Sequence, residues 1–353
     1  MRLGVGIGYA TTAAELADNL ALAQAADELG YATVWAAEAY GSDAVSVLAA
    51  IAARTRRIGI GSAVLQIPGR TPAMTAMTAA TLDALSDGRF SLGLGVSGAQ
   101  VSEGWHGVRY ADPIGRTREY IGIVRQTLSR RRVVADGEHF TLPLPDGPGK
   151  SLLLSLRPVR PEVPVYLAAL GPANLALTGQ IADGWLGLFV DPAHAAAPGG
   201  AVHAIRAAAA AAGRPAGAVD LCAQVSVALG PDVATAADRV RAHAALYLGG
   251  MGSRTGNVYA RLATTMGHGD AVATVQDRYL SRDHAGAAAA VPLEFLRSTS
   301  LLGPPGEIGE RLLAYRDAGI DEVTLGVLDA DPAARITTLR TVLETAERVG
   351  VLA

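Results

Sequence analysis

Hydrophobic positions in this chain follow two alternating rhythms. Short segments of strand character, "RLGVGIG" (2–8), "YATVWAAE" (31–38), "RIGIGSAVL" (57–65) and "RFSLGLG" (89–95), mix apolar residues with glycine. Between and after them lie longer stretches with apolar residues at helical spacing, over 12–30, 42–55, 71–86 and 114–131. The second half repeats the pattern with "VPVYLAAL" (163–170), "DGWLGLF" (183–189), "VDLCAQVSVAL" (219–229) and "IDEVTLGVL" (320–328). Helical stretches accompany these at 172–182, 203–213, 232–249, 305–319 and 333–349. Short joints between strand and helix predict parallel strands linked by right-handed crossovers. Eight such strands predict an α/β fold, a (β/α)8 TIM barrel forming one domain over 1–353, rather than a Rossmann sheet. Two interruptions, about 132–162 and 250–300, read as excursions from the C-terminal face, the second with a short helix.

Composition narrows the class. Half the residues are hydrophobic and only 18% are charged, so the chain can bury a large core. A net charge of −3 gives no general drive toward nucleic acid or an anionic membrane. The single cysteine, Cys222, has no partner for an internal disulfide, and its apolar surroundings predict a buried strand position. Scattered histidines and no second cysteine argue against a metal site. The start of the chain has no signal-peptide pattern, and no apolar run is long enough to span a bilayer. These features predict a soluble cytoplasmic protein.

A barrel concentrates its chemistry at the C-terminal ends of its strands. Most informative is "GRFSLGLGVSGAQVSEGWHGVRY" (88–110), where a glycine-rich strand end precedes Glu103, Trp105 and His106. Glycine there lets a flat or anionic ligand approach the backbone. Ala168, Ala169 and Gly171, just ahead of a helix, offer N–H groups suited to a phosphate.

The segments "GYATVWAAEAYGSDA", "RIGIGSAVLQIPGRTPAMTAMTAATLDALSDGRFSLGLGVSG", "EGWHG", "RTREYI" and "VPVYLAALGPANLALTGQIADGW" resemble the bacterial luciferase-like superfamily. Within it the chain is most similar to the branch of coenzyme F420 (deazaflavin)-dependent oxidoreductases. The resemblance implies a non-prolyl cis peptide at Ala63–Val64 behind the deazaflavin ring. It further implies ring and ribityl contacts from Val96, Ser97, Gly98 and Gln100, and a phosphate seat at Ala169, Leu170 and Gly171. Glu38 falls where the family places an acid near the pyrimidine end or ribityl chain, whereas several relatives have histidine where this chain has Ala39. Relatives pair through barrel helices, which makes a homodimer the expectation.

Hydride transfer at deazaflavin C5 needs a substrate stacked on one ring face and often a proton donor or acceptor. Glu38, Tyr40, Glu103 and His106 are the titratable candidates at the mouth. His106 has the intrinsic pKa best matched to neutrality, with Glu38 and Tyr40 as further candidate catalytic groups. Trp105, Glu103 and Trp185 are candidate substrate-pocket residues, although either tryptophan also suits the core. Arg70 and other basic rim residues are candidates for the anionic tail of F420. Three readings stand: an F420-dependent oxidoreductase moving a hydride to or from a small organic substrate, an FMN-dependent monooxygenase of the same fold, and a barrel that binds flavin or F420 without catalysis.

Overall fold

The computed structural model describes residues 1–352. Eight parallel strands close into a ring: β1 (Arg2–Gly8), β2 (Thr33–Ala36), β3 (Gly59–Ser62), β4 (Phe90–Gly95), β5 (Val165–Ala168), β6 (Gly184–Leu188), β7 (Asp220–Leu229) and β8 (Glu322–Val327). Pairing runs in sequence order, and β8 returns to β1 with Leu3 opposite Val323. All eight coincide with the strands expected from sequence. Among the described residues no helix is long and apolar enough to cross a membrane.

Strand parity divides the buried side chains into two sets. One set, including Val5, Val34, Leu92, Leu167, Trp185 and Leu325, packs against the surrounding helices in one large core. The other fills the ring itself. There Trp35, Tyr166, Leu186 and Cys222 form a separate cluster, with Ala63, Val64 and Ala168 half-buried against it. Trp35 and Tyr166 meet edge to face, ring centres 5.1 Å apart. Gly61 makes this possible, because a β-carbon there would lie 2.4 Å from the Trp35 ring.

Below the aromatic layer the ring is closed by a buried carboxylate. Glu322 accepts from Trp35 Nε1 at 2.8 Å, Thr324 Oγ1 at 3.0 Å and Thr33 Oγ1 at 3.1 Å. Arg2 approaches it at 3.4 Å and also binds Asp220 at 2.5 Å, which accepts in turn from the Tyr166 hydroxyl. Both oxygens of the buried Glu322 have donors, as buried polar groups require.

The first excursion, after helix Pro113–Leu128, contains only a two-residue hairpin, Ala135–Asp136 with Thr141–Leu142. Polar anchors hold it down. Glu119 accepts the N–H groups of Glu138, His139 and Phe140 at 2.9–3.0 Å. Arg160 grips the fully buried Asp83 with both Nε and Nη2.

The second excursion differs from the sequence expectation of one short helix. Beyond the expected helix Val233–Ala245, the excursion adds Val258–Ala263, Gly269–Leu280, His284–Ala290 and Leu293–Thr299, and the five form one helical layer. Its own core includes Val240, Leu248, Val275, Phe295 and, from the barrel, Phe189. Alanine-rich stretches such as "AGAAAAV" carry little periodic signal, which hid these helices. Residues Ser300–Gly303, at the end of the excursion and expected in no strand, form a further strand on the C-terminal half of β7.

Candidate functional site

At the C-terminal mouth, the loops after β2, β3 and β4 are joined by one polar network. Asp43 caps helix Ala44–Arg54, and Thr71 caps helix Pro72–Leu85, fixing both loop exits. Arg70, between them, binds Glu38 at 2.5 Å and Asp43 at 3.0 Å. The other Glu38 oxygen accepts from the Ala44 N–H at 3.3 Å. Burial works against the Arg70 charge, yet Glu38 and Asp43 together hold its pKa above the ordinary value. Arg70, expected as a rim cation for an anionic tail, is therefore already committed to two carboxylates.

His106 belongs to the same network. Its Nε2 lies 2.5 Å from Gln66 Oε1, and the Gln66 amide donates to the carbonyls of Glu38 and Ala39 at 3.2 and 3.3 Å. Gln66 Oε1 can only accept, so His106 Nε2–H donates to it and Nδ1 is the nitrogen left to face the site. Gln66, almost fully buried, is a connecting residue that the sequence reading missed.

The peptide bond Ala63–Val64 is cis, and the two residues separate β3 from a short strand, Leu65–Gln66, that pairs with the end of β4. With Ala168 they form a small apolar floor over the Trp35–Tyr166 layer. Beside it, β4 runs into Val96, Ser97 and Gly98. Ser97 has a φ of 60°, the left-handed region that non-glycine residues seldom occupy. Gln100 lies in the first turn of a short helix, Ala99–Gly104.

On the neighbouring strand, Ala169, Leu170 and Gly171 lead into helix Pro172–Ile181. The helices after β1, β2 and β3 spend early amides on Thr12, Asp43 and Thr71 side chains, but this one has no side-chain cap. Asn174, in its first turn, donates to the Ala168 carbonyl at 3.2 Å, while its Oδ1 is buried with no partner.

The remaining expected residues are distributed as follows. Trp105 is 67% exposed at the end of the short helix, and Tyr40 is 55% exposed at the rim. Glu103 ties its own loop, accepting from Arg109 at 3.3 Å and the Tyr110 N–H at 3.1 Å. Trp185 corrects the sequence expectation of a pocket residue. It points outward from β6, is 1% exposed, and donates to the Ala169 carbonyl at 2.9 Å, so it supports the phosphate-seat turn from behind. Arg118 pairs with Gln180 on the surface, whereas Arg116, first residue of the "RTREYI" segment, lines a cleft with Val96, Ser102, Arg109 and Tyr110. Its Nε is buried without a partner.

An apolar floor, an adjacent row of amides and titratable groups at one barrel mouth define a (β/α)8 enzyme of the cofactor-binding kind. The sequence profile of the luciferase-like monooxygenase family matches residues 1–322, and the chain belongs to that family. A Mycobacterium tuberculosis protein, named provisionally as a coenzyme F420-dependent oxidoreductase, is 38% identical over 96% of this chain and 98% of its own length. The 5,10-methylenetetrahydromethanopterin reductase of Archaeoglobus fulgidus is 29% identical over 85% of this chain and 86% of its own. Among solved structures, the F420-dependent tetrahydromethanopterin reductase of Methanopyrus kandleri superposes with a TM-score of 0.80 at 20% identity, covering 98% of this chain and 97% of that one. This last likeness concerns the fold.

Proposed function

We propose that the protein is a coenzyme F420-dependent oxidoreductase acting on a small organic substrate. The observation that carries this reading is the juxtaposition of the Ala63–Val64–Ala168 floor with the uncapped amides of Ala169–Gly171. The names of the M. tuberculosis and A. fulgidus relatives support it. When bound, F420 supplies or accepts a hydride at its ring carbon C5.

The chain's own residues fit such a group part by part. Small side chains at Ala63, Val64 and Ala168 suit a flat apolar ring, since nothing bulky rises from the floor. The Pro172 helix start suits a phosphate. The unpartnered Asn174 Oδ1 is an acceptor for a polyol hydroxyl. Arg116, whose Nε has no partner, offers a cation for a carboxylate tail, the role that Arg70 does not fill.

For a carbonyl substrate, a proton must reach the oxygen as hydride reaches the carbon, and the reverse reaction must remove it. His106 Nδ1 is proposed to take the proton from an alcohol as hydride leaves its carbon and, once protonated, to give one to a carbonyl oxygen in the reverse direction, with the Tyr40 hydroxyl as the second such group. Glu38 is proposed as a positioning group, because Arg70 and the Ala44 N–H engage both its oxygens.

The test is a titration of cofactor-free protein with F420 and, separately, FMN, followed by ligand fluorescence. F420 is expected to bind at least tenfold more tightly; tighter FMN binding would replace this reading with the flavin monooxygenase. F420 binding with no redox change under any donor or acceptor would leave a binding protein. Arg116→Ala is expected to weaken F420 about tenfold, roughly 1.4 kcal/mol, while leaving FMN, which has no carboxylate tail, within twofold.

A further inference from the structure

His106 reaches the mouth on the loop after β4, and its surroundings restrict both its place and its chemistry. The loop is closed on either side of it. Ser102, 2% exposed, donates its hydroxyl to the Val108 carbonyl at 2.7 Å, and the Val108 N–H donates back to the Ser102 carbonyl at 2.8 Å. The His106 N–H itself donates to the Val101 carbonyl at 3.1 Å. The backbone that carries the imidazole is thus tied down within its own loop.

The ring then docks on the segment after the cis peptide. Its Cε1 corner lies against Gly69, where a β-carbon would stand 3.1 Å from Cε1, 3.4 Å from Nε2 and 3.6 Å from Nδ1. A bare backbone position admits the imidazole at that distance. Beside this corner, Nε2 meets Gln66 Oε1. The amide cannot be turned the other way round. Backbone carbonyls only accept, so its nitrogen must face Glu38 and Ala39 and its oxygen must face the ring. Gln66 is almost wholly out of water, so without the Nε2 donor its oxygen would be buried and unpaired, an arrangement folded proteins avoid. Charged groups on these loops are paired among themselves, Arg70 with Glu38 and Asp43 and Arg109 with Glu103. The neutral amide is the side-chain partner of the ring.

We propose that Gln66 is a positioning residue for the reaction above: by engaging Nε2–H, it reserves Nδ1 as the nitrogen through which His106 exchanges protons with substrate. Oxidation of an alcohol then balances at one atom. The hydroxyl proton passes to Nδ1, hydride leaves the carbon for the cofactor, and the imidazolium keeps its Nε2–H on Gln66. The Nδ1 proton is afterwards released to water, because the amide has no titratable group to carry one onward to Glu38. Reduction of a ketone runs the same transfers backwards.

The proposal rests on the oxidoreductase reading for its reaction, but its test needs neither cofactor nor substrate. Nitrogen-15 NMR of the imidazoles is recorded on full-length, cofactor-free protein, with the His106 signals assigned by their loss in His106→Gln. Neutral His106 is expected to carry its proton on Nε2, in an N–H whose exchange with water is slowed by the bond to Gln66. Gln66→Leu is expected to speed that exchange about tenfold, the loss of one hydrogen bond. Gly69→Ala, which keeps every polar partner but crowds Cε1, is expected to speed it roughly threefold. A proton on Nδ1 in the unsubstituted protein overturns the proposal. So does exchange within twofold of the unsubstituted protein in Gln66→Leu or, where that variant does not fold, in Gly69→Ala. F420 binding, followed separately by fluorescence, judges the oxidoreductase reading; its failure beside the expected NMR result would leave the hold of Gln66 on His106 standing and remove only the reaction assigned to it.

Discussion

Replacing Arg160 with alanine is expected to cost the protein about 3–5 kcal/mol of folding stability, read as a fall in the urea midpoint. The reason lies in Asp83, on helix Pro72–Leu85, whose side chain has no access to water. Arg160 meets both its oxygens at 2.8–3.1 Å and also donates to the Phe90 carbonyl at the start of β4. Without the guanidinium, the carboxylate keeps only a long 3.3 Å bond from the Phe90 N–H. An unpaired buried charge is the costly outcome, so replacing both residues by leucine is expected to restore most of the loss. A double variant no more stable than Arg160→Ala would show that the cost came from packing of the excursion and not from the charge.

Stability is also expected to fall by about 2 kcal/mol between pH 7 and pH 4 through one residue, His243. Burial in the helical layer pushes its pKa down to about 4, from an ordinary value of 6.5, and its ring lies 4.9 Å from that of Tyr247. The folded state thus holds the neutral imidazole. Above pH 6.5 neither state is charged and the contribution is complete. Between 6.5 and 4 the unfolded chain takes up the proton first, so stability drops as pH falls; below 4 both states are protonated and the drop ends. The whole shift corresponds to roughly 3 kcal/mol, reduced here because part of the ring reaches solvent. His243→Phe is expected to flatten this window relative to the unsubstituted protein in urea unfolding across pH. An unchanged slope would assign the acid sensitivity to carboxylates elsewhere.

The barrel was legible in the sequence because each strand announces itself twice, by apolar alternation and by the helix that follows. What sequence could not supply was the partner of each polar group. Arg70 reads as a free rim cation until Glu38 and Asp43, 32 and 27 residues earlier, are folded onto it. Trp185 shows a different limit. Parity along β6 puts it on the face opposite Leu186, and nothing in "DGWLGLF" says which face looks inward. Register against β5, with Leu167 opposite Trp185 and Ala168 opposite Leu186, decides it. Ser300–Gly303 was missed because four residues show no period of their own; pairing with β7 makes them a strand.

The two halves of the rim differ in how they can change. Gln66 clasps two carbonyls of one loop while receiving His106 from another, so the segments after β2, β3 and β4 answer to a single amide. A change at Gln66 therefore touches all three. The opposite half is bordered by a module with its own interior, joined to the ring through Phe189, Leu188, Ala228 and Leu302. Selection for a new reactant can therefore rewrite that module residue by residue without disturbing the grip beside it.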